Sequence, residues 1–117
     1  MSKRILIVDD SSMMRKMISK ILLPGGHTIV GEAKNGAEAV ELYKTLEPDL
    51  VTMDITMRGM DGFTAAQEIL SFDDKAQIIF LSNLDKDKYG PDAQNLGAVG
   101  YVNKHKSREL LDIIENP

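Results

Sequence analysis

The chain contains no cysteine and no tryptophan among its 117 residues. Without cysteine there is no disulfide framework, no zinc–thiolate site and no thiol nucleophile. Without tryptophan there is no strong intrinsic fluorescence probe. A basic excess is missing too: 14 Lys and Arg against 18 Asp and Glu leave a net charge of −4. Nothing would drive release of phosphate counterions, so direct nucleic-acid binding is not expected. No apolar stretch reaches the roughly 18 residues of a membrane span. Met1-Ser2-Lys3-Arg4 leads straight into a strand rather than a signal-peptide core. A cytoplasmic protein without a membrane partner is the expectation. No repeat, low-complexity tract or linker interrupts the chain, so residues 1–117 read as one domain. With 43% apolar and 27% charged residues, the composition suits a globular fold with one core.

What the chain does have is a set of short apolar runs that end in acid. Ile5-Leu6-Ile7-Val8 stops at Asp9-Asp10, and Leu50-Val51-Thr52-Met53 stops at Asp54. Such β-branched runs read as strands buried on both faces, with carboxylates at their carboxyl ends. Ser11 and Ser12 offer an N-cap for a helix over residues 13–23, which Pro24-Gly25-Gly26 stops. A short strand follows over 27–32, then a turn at Asn35-Gly36 and a helix ending before Pro48. Phe63 to Phe72 reads as a third helix, Gln77 to Leu81 as a fourth strand and Val99 to Val102 as a fifth. A last helix runs from about Ser107 to Ile114 and is closed by Pro117. Gly90-Pro91 would break any helix from Leu84 to Leu96, so the spacing predicts a short or displaced helix starting near Pro91. Strand and helix alternate five times. That order predicts an α/β fold, doubly wound around a five-stranded parallel sheet.

In open α/β sheets, ligands bind at the carboxyl edge of the strands. The first strand delivers Asp9 and Asp10 there, the third Asp54, the fourth Ser82 and the fifth Lys104. Three converging carboxylates repel one another unless a divalent cation or a proton relieves them. Mg2+ prefers such hard oxygen ligands, with Mn2+ the alternative. Lysine supplies a point charge for a transferring phosphoryl group. A carboxylate can itself be the nucleophile and form an aspartyl-phosphate. Singly, each residue has a plainer reading: Asp9 and Asp10 as loop and cap residues, Ser82 as a strand-end cap, Lys104 as a solvated lysine, Tyr101 as a half-buried strand tyrosine. Their coincidence favours chemistry. His27 and His105 are too few and too separated for a metal cluster and read as surface residues.

Four segments together resemble the receiver domain of two-component response regulators, and more closely the small single-domain chemotaxis type. They are Ile5-Leu6-Ile7-Val8-Asp9-Asp10-Ser11, Met53-Asp54-Ile55-Thr56-Met57-Arg58-Gly59-Met60-Asp61-Gly62, Leu81-Ser82 and Gly97-Ala98-Val99-Gly100-Tyr101-Val102-Asn103-Lys104. The resemblance implies a flavodoxin-like sheet with strand order 2-1-3-4-5. It implies Asp54 as acceptor of a phosphoryl group from a sensor histidine kinase. Mg2+ would bind Asp10, Asp54 and the Thr56 backbone carbonyl, with Asp9 helping through water. Ser82 would hydrogen-bond the acyl phosphate, Lys104 would pair with it, and Tyr101 would turn inward after Ser82 moves. The output would be a protein partner, the flagellar motor being one candidate, and the only catalysis would be of the domain's own phosphorylation and dephosphorylation.

The chain departs from that pattern at four places. Arg58 replaces a usual proline and puts a cation beside the acceptor. His105 replaces the proline that commonly follows the lysine through a cis bond; without proline a cis peptide costs about 2.5–4 kcal/mol, so a trans bond, or else visible strain, is expected. Asp85-Lys86-Asp87-Lys88-Tyr89-Gly90-Pro91 predicts an irregular output face. Asn83 is bulkier than the residue usual after the switch hydroxyl. Two rival readings stay open: a degenerate receiver that only binds partners, and an aspartate-nucleophile phosphatase of the haloacid dehalogenase kind. The second lacks an acid two residues after Asp54. A flavodoxin-like nucleotide binder is weaker, because no Gly-rich phosphate loop follows the first strand.

Overall fold

The apolar runs form the strands. In the computed structural model, which describes residues 2–116, these are β1 (Arg4–Val8), β2 (Thr28–Ala33), β3 (Leu50–Met53), β4 (Ile78–Ser82) and β5 (Gly100–Asn103). All pair in parallel, in the order β2-β1-β3-β4-β5. The connecting helices are α1 (Ser12–Leu22), α2 (Gly36–Leu46), α3 (Gly62–Phe72), α4 (Lys86–Leu96) and α5 (Glu109–Glu115). Two single 3-10 turns, Leu23–Gly25 and Lys104–Lys106, complete the described residues. Pro117, expected to close the last helix, lies outside them.

Apart from Thr52, the strands in the centre of the sheet are apolar on both faces because helices cover both. Ile5 and Ile7 of β1, Ile79 and Leu81 of β4, and Val102 of β5 pack with Ile18 and Leu22 of α1 and Leu110 and Ile114 of α5. The alternate residues Leu6, Val8, Val51, Met53, Ile78 and Phe80 pack with Val40 and Tyr43 of α2, Ala65 and Ile69 of α3, and Ala93 of α4. Two helices therefore shield one face and three the other.

Three expectations are corrected. The fourth helix is neither short nor displaced: α4 runs unbroken through Pro91. Asp85 starts it by accepting the Asp87 N–H at 2.9 Å, which satisfies an orphan donor of the first turn. Gly90 lets it continue, because the clash that drives a pre-proline residue out of the helical region is partly with its Cβ, and glycine has none. His27 is buried, not on the surface, at 4% exposure. Its Nδ1 accepts the Lys3 N–H at 3.1 Å and so ties down the chain just before β1. The last helix starts at Glu109 instead of Ser107, because Ser107 closes the 3-10 turn that precedes it.

Candidate functional site

Sheet register assembles the site. β1 and β3 pair Val8 with Met53, so the next residue on each strand, Asp9 and Asp54, emerge side by side. β4 and β5 pair Ser82 with Asn103, which sets Lys104 one residue beyond Ser82. The strand order reverses between β1 and β3, and the crevice at such a point is where open α/β sheets hold ligands. The backbone keeps these ends in place: the Asp54 N–H donates to the Val8 carbonyl at 2.9 Å, and the Asp9 N–H to the Ala33 carbonyl at 3.0 Å. Gly62 then lets α3 start hard against the acceptor loop, since a Cβ there would run into the Asp54 carbonyl.

One carboxylate oxygen from each of Asp9, Asp10 and Asp54 lies within 4.8 Å of the others. Asp9 and Asp54 are buried and Asp10 is exposed at the rim. Lys104 Nζ stands between the two buried acids, 2.8 Å from Asp9 Oδ2 and 3.3 Å from Asp54 Oδ2. Burial pushes the Asp54 carboxyl up to about 6, repulsion from Asp9 adds to this, and Lys104 pulls it partly back. Burial also works against the Lys104 ammonium, but Asp9 and Asp54 outweigh it and raise its pKa. A cleft of about 270 Å³ opens above these groups, lined by Asp10, Asp54, Thr56, Ser82, Asn83 and Lys104.

The residues present fit a hard divalent cation. Asp9 Oδ1 accepts the Ser11 N–H at 2.9 Å. Its buried Oδ2 meets the Lys104 ammonium at 2.8 Å and no backbone donor. Three carboxylates gathered around one ammonium make an oxygen-only donor set with negative charge to spare.

Asp9, Asp10, Asp54, Thr56, Ser82 and Lys104 thus meet at one edge. Tyr101 lies behind them, linked through Leu84: the Leu84 N–H donates to Ser82 Oγ at 3.1 Å, and the Tyr101 hydroxyl donates to the Leu84 carbonyl at 2.9 Å. The inward position expected of Tyr101 only after Ser82 moves is the one it already holds, at 5% exposure. Burial raises its phenol pKa. Lys104–His105 is trans, as expected, with no cis peptide among the described residues.

The response regulator receiver domain family matches residues 5–115. The chain belongs to that family. This receiver is 51% identical to the chemotaxis protein CheY of Bacillus subtilis over 104 residues, covering 89% of this chain and 87% of that one. It is 46% identical to the CheY of Thermotoga maritima over 104 residues, with the same coverage. Among solved structures, the CheX–CheY–BeF3–Mg2+ complex from Borrelia burgdorferi matches with a TM-score of 0.90 and 36% identity, covering 95% of this chain and 85% of that one. The receiver is therefore a CheY-like signalling module of the two-component kind.

One residue of the receiver's site went unread in the sequence. Arg15 of α1 donates from its guanidinium to the Asp9 backbone carbonyl at 2.7 Å and to Glu32 Oε1 at 3.0 Å. It clasps the loop that carries Asp9 and Asp10. A backbone carbonyl leaves no sequence signature, and within Met13-Met14-Arg15-Lys16 the arginine looks like any solvated helix residue.

Proposed function

We propose that this receiver is a phosphorylation-activated switch that takes a phosphoryl group from a histidine kinase onto Asp54. The observation that carries the reading is the meeting of three carboxylates within 4.8 Å beneath an ammonium 3.3 Å from Asp54. Asp10, Asp54 and the Thr56 carbonyl would hold Mg2+, with Asp9 assisting through water. Bound there, the ion supplies positive charge that offsets the carboxylates and the phosphoryl oxygens. Asp54 is the nucleophile: its Oδ–P bond forms as the P–N bond to the kinase histidine breaks, and the bonding pair leaves with the imidazole nitrogen. Lys104 neutralises charge on the transferred group. Positioning and electrostatics suffice for this reaction, so the small set of residues is enough.

Leu84 links the chemistry to the surface. Ser82 Oγ, drawn toward the new phosphoryl oxygens, releases the Leu84 N–H and shifts the loop whose carbonyl Tyr101 holds. The equilibrium between two arrangements of α4, β5 and α5 is biased in this way, and a protein partner reads the result. The whole of 1–117 acts as one receiver domain in the cytoplasm, with a histidine kinase upstream and a protein target, flagellar motor components among the candidates, downstream. It catalyses only its own phosphorylation and dephosphorylation.

Incubation with phosphoramidate and Mg2+, followed by intact-mass measurement, tests the assignment. Wild type gains one phosphoryl group and Asp54→Asn gains none. Equal labelling of both would refute Asp54 as nucleophile. No labelling of either would favour a degenerate receiver that only binds partners.

A further inference from the structure

The turn that carries Lys104 is bracketed by two side chains with no other part in the proposed chemistry. Asn103, the last residue of β5, curls its Oδ1 forward to accept the His105 N–H at 2.9 Å. Ser107, only 6% exposed, donates its hydroxyl to the Lys104 carbonyl at 2.6 Å. Between the two bonds the backbone makes a single 3-10 turn over Lys104–Lys106. Such turns have poorer hydrogen-bond geometry than an α-helix. A lysine side chain has a flexible four-carbon stem, so its ammonium is placed only as well as the backbone beneath it. Here that ammonium reaches two separate carboxylates, at 2.8 and 3.3 Å.

We propose that Asn103 and Ser107 are positioning residues for Lys104: by fixing its backbone from both sides they hold the ammonium over Asp9 and Asp54. His105 belongs to the same device, because its N–H is the donor that Asn103 takes. Proline at 105 would have no N–H to give. The bracket therefore couples residue 103 to residue 105, and the two positions cannot be exchanged independently. The consequence for reaction rate rests on the phosphotransfer reading; the placement of the ammonium does not.

Two measurements on the full chain test this. The first is the Lys104 ammonium resonance in 1H–15N NMR of the metal-free protein, where an ion-paired ammonium stands apart from solvated lysines. It shifts toward the solvated position in Asn103→Val and in Ser107→Ala, but stays put in Ser107→Thr, which keeps the hydroxyl. The second is the rate of phosphorylation by phosphoramidate with Mg2+, taken where circular dichroism shows every variant folded. Asn103→Val and Ser107→Ala lower the maximal rate about ten-fold, as a misplaced catalytic group does, without moving the half-saturating donor concentration. Ser107→Thr restores the rate. His105→Pro harms the wild type but adds little to Asn103→Val, since both delete one bond. An unmoved Lys104 resonance in both Asn103→Val and Ser107→Ala would overturn the proposal. A moved resonance in a protein that takes no phosphoryl group would uphold the bracket and sink the phosphotransfer reading instead.

Discussion

Thr52 occupies the middle of β3 at 1% exposure, and its hydroxyl has no hydrogen-bond partner. A buried unpartnered hydroxyl costs free energy that an isosteric methyl does not. Thr52→Val is therefore expected to stabilise the protein by about 1 kcal/mol, read as a higher urea midpoint with an unchanged slope. Arg15 works in the opposite sense. Its truncation strips a charged donor from the Asp9 carbonyl and frees the loop bearing two carboxylates. Arg15→Ala should lose about 1–2 kcal/mol of stability and also weaken Mg2+ binding, which a titration followed by NMR would detect. A loss of stability with unaltered metal affinity would show that the clasp serves the fold alone. His27 teaches a related lesson: a lone histidine between Gly26 and Thr28 carries no mark of burial, because its partner is the Lys3 backbone N–H.

Among the elements, the strands were legible and α4 was not, and the physical reasons differ. A strand covered on both faces must be largely apolar, so Ile78 to Leu81 announces itself, and Leu50 to Met53 does so despite Thr52. The acids that end β1 and β3 gave the site, since register does the rest. The turn at Lys104–Lys106 left no such trace, because two side-chain bonds to backbone groups create it. In α4 the glycine before the proline decides the outcome. Pro91 removes one helical donor, yet Gly90 ahead of it has no Cβ to clash with the proline ring. This makes a sign reversal testable. With Pro91 present, Gly90→Ala should destabilise, because the new Cβ meets the ring. In the Pro91→Ala background the same change should stabilise by about 0.5–1 kcal/mol, the ordinary helix gain of alanine over glycine. A double-mutant cycle by thermal melting checks it, and additive effects would show that the ring clash is not what Gly90 avoids.

At the scale of the whole molecule, the parallel sheet forces its acids together, and that cost is visible in how stability depends on pH. Burial, with Asp9 beside it, holds the Asp54 carboxyl near 6 in the metal-free native state, against an ordinary value of 3.8. Between those two values the unfolded chain has released its proton while the native chain retains it. The native state then binds more protons, so its stability falls as pH rises through the window. The loss amounts to about 1–2 kcal/mol once solvent screening is allowed for. Asp73 contributes an opposite slope, because the Tyr43 hydroxyl at 2.8 Å holds its carboxyl below the ordinary range. That contribution cancels when wild type is compared with Asp54→Asn. Urea unfolding in chelator from pH 3.5 to 7 should therefore show Asp54→Asn gaining on wild type as pH rises, with the gain complete just above pH 6. Saturating Mg2+ at pH 7 should reverse the order, because Asp54→Asn removes one of the three carboxylates that would hold the ion: a ligand bound only by the folded state at a hundred times its dissociation constant adds about 2.7 kcal/mol. Parallel pH curves for the two proteins would mean that Asp54 keeps an ordinary carboxylate environment, and the crowding of charge at the carboxyl edge of β1 and β3 would then be too weak to drive metal uptake.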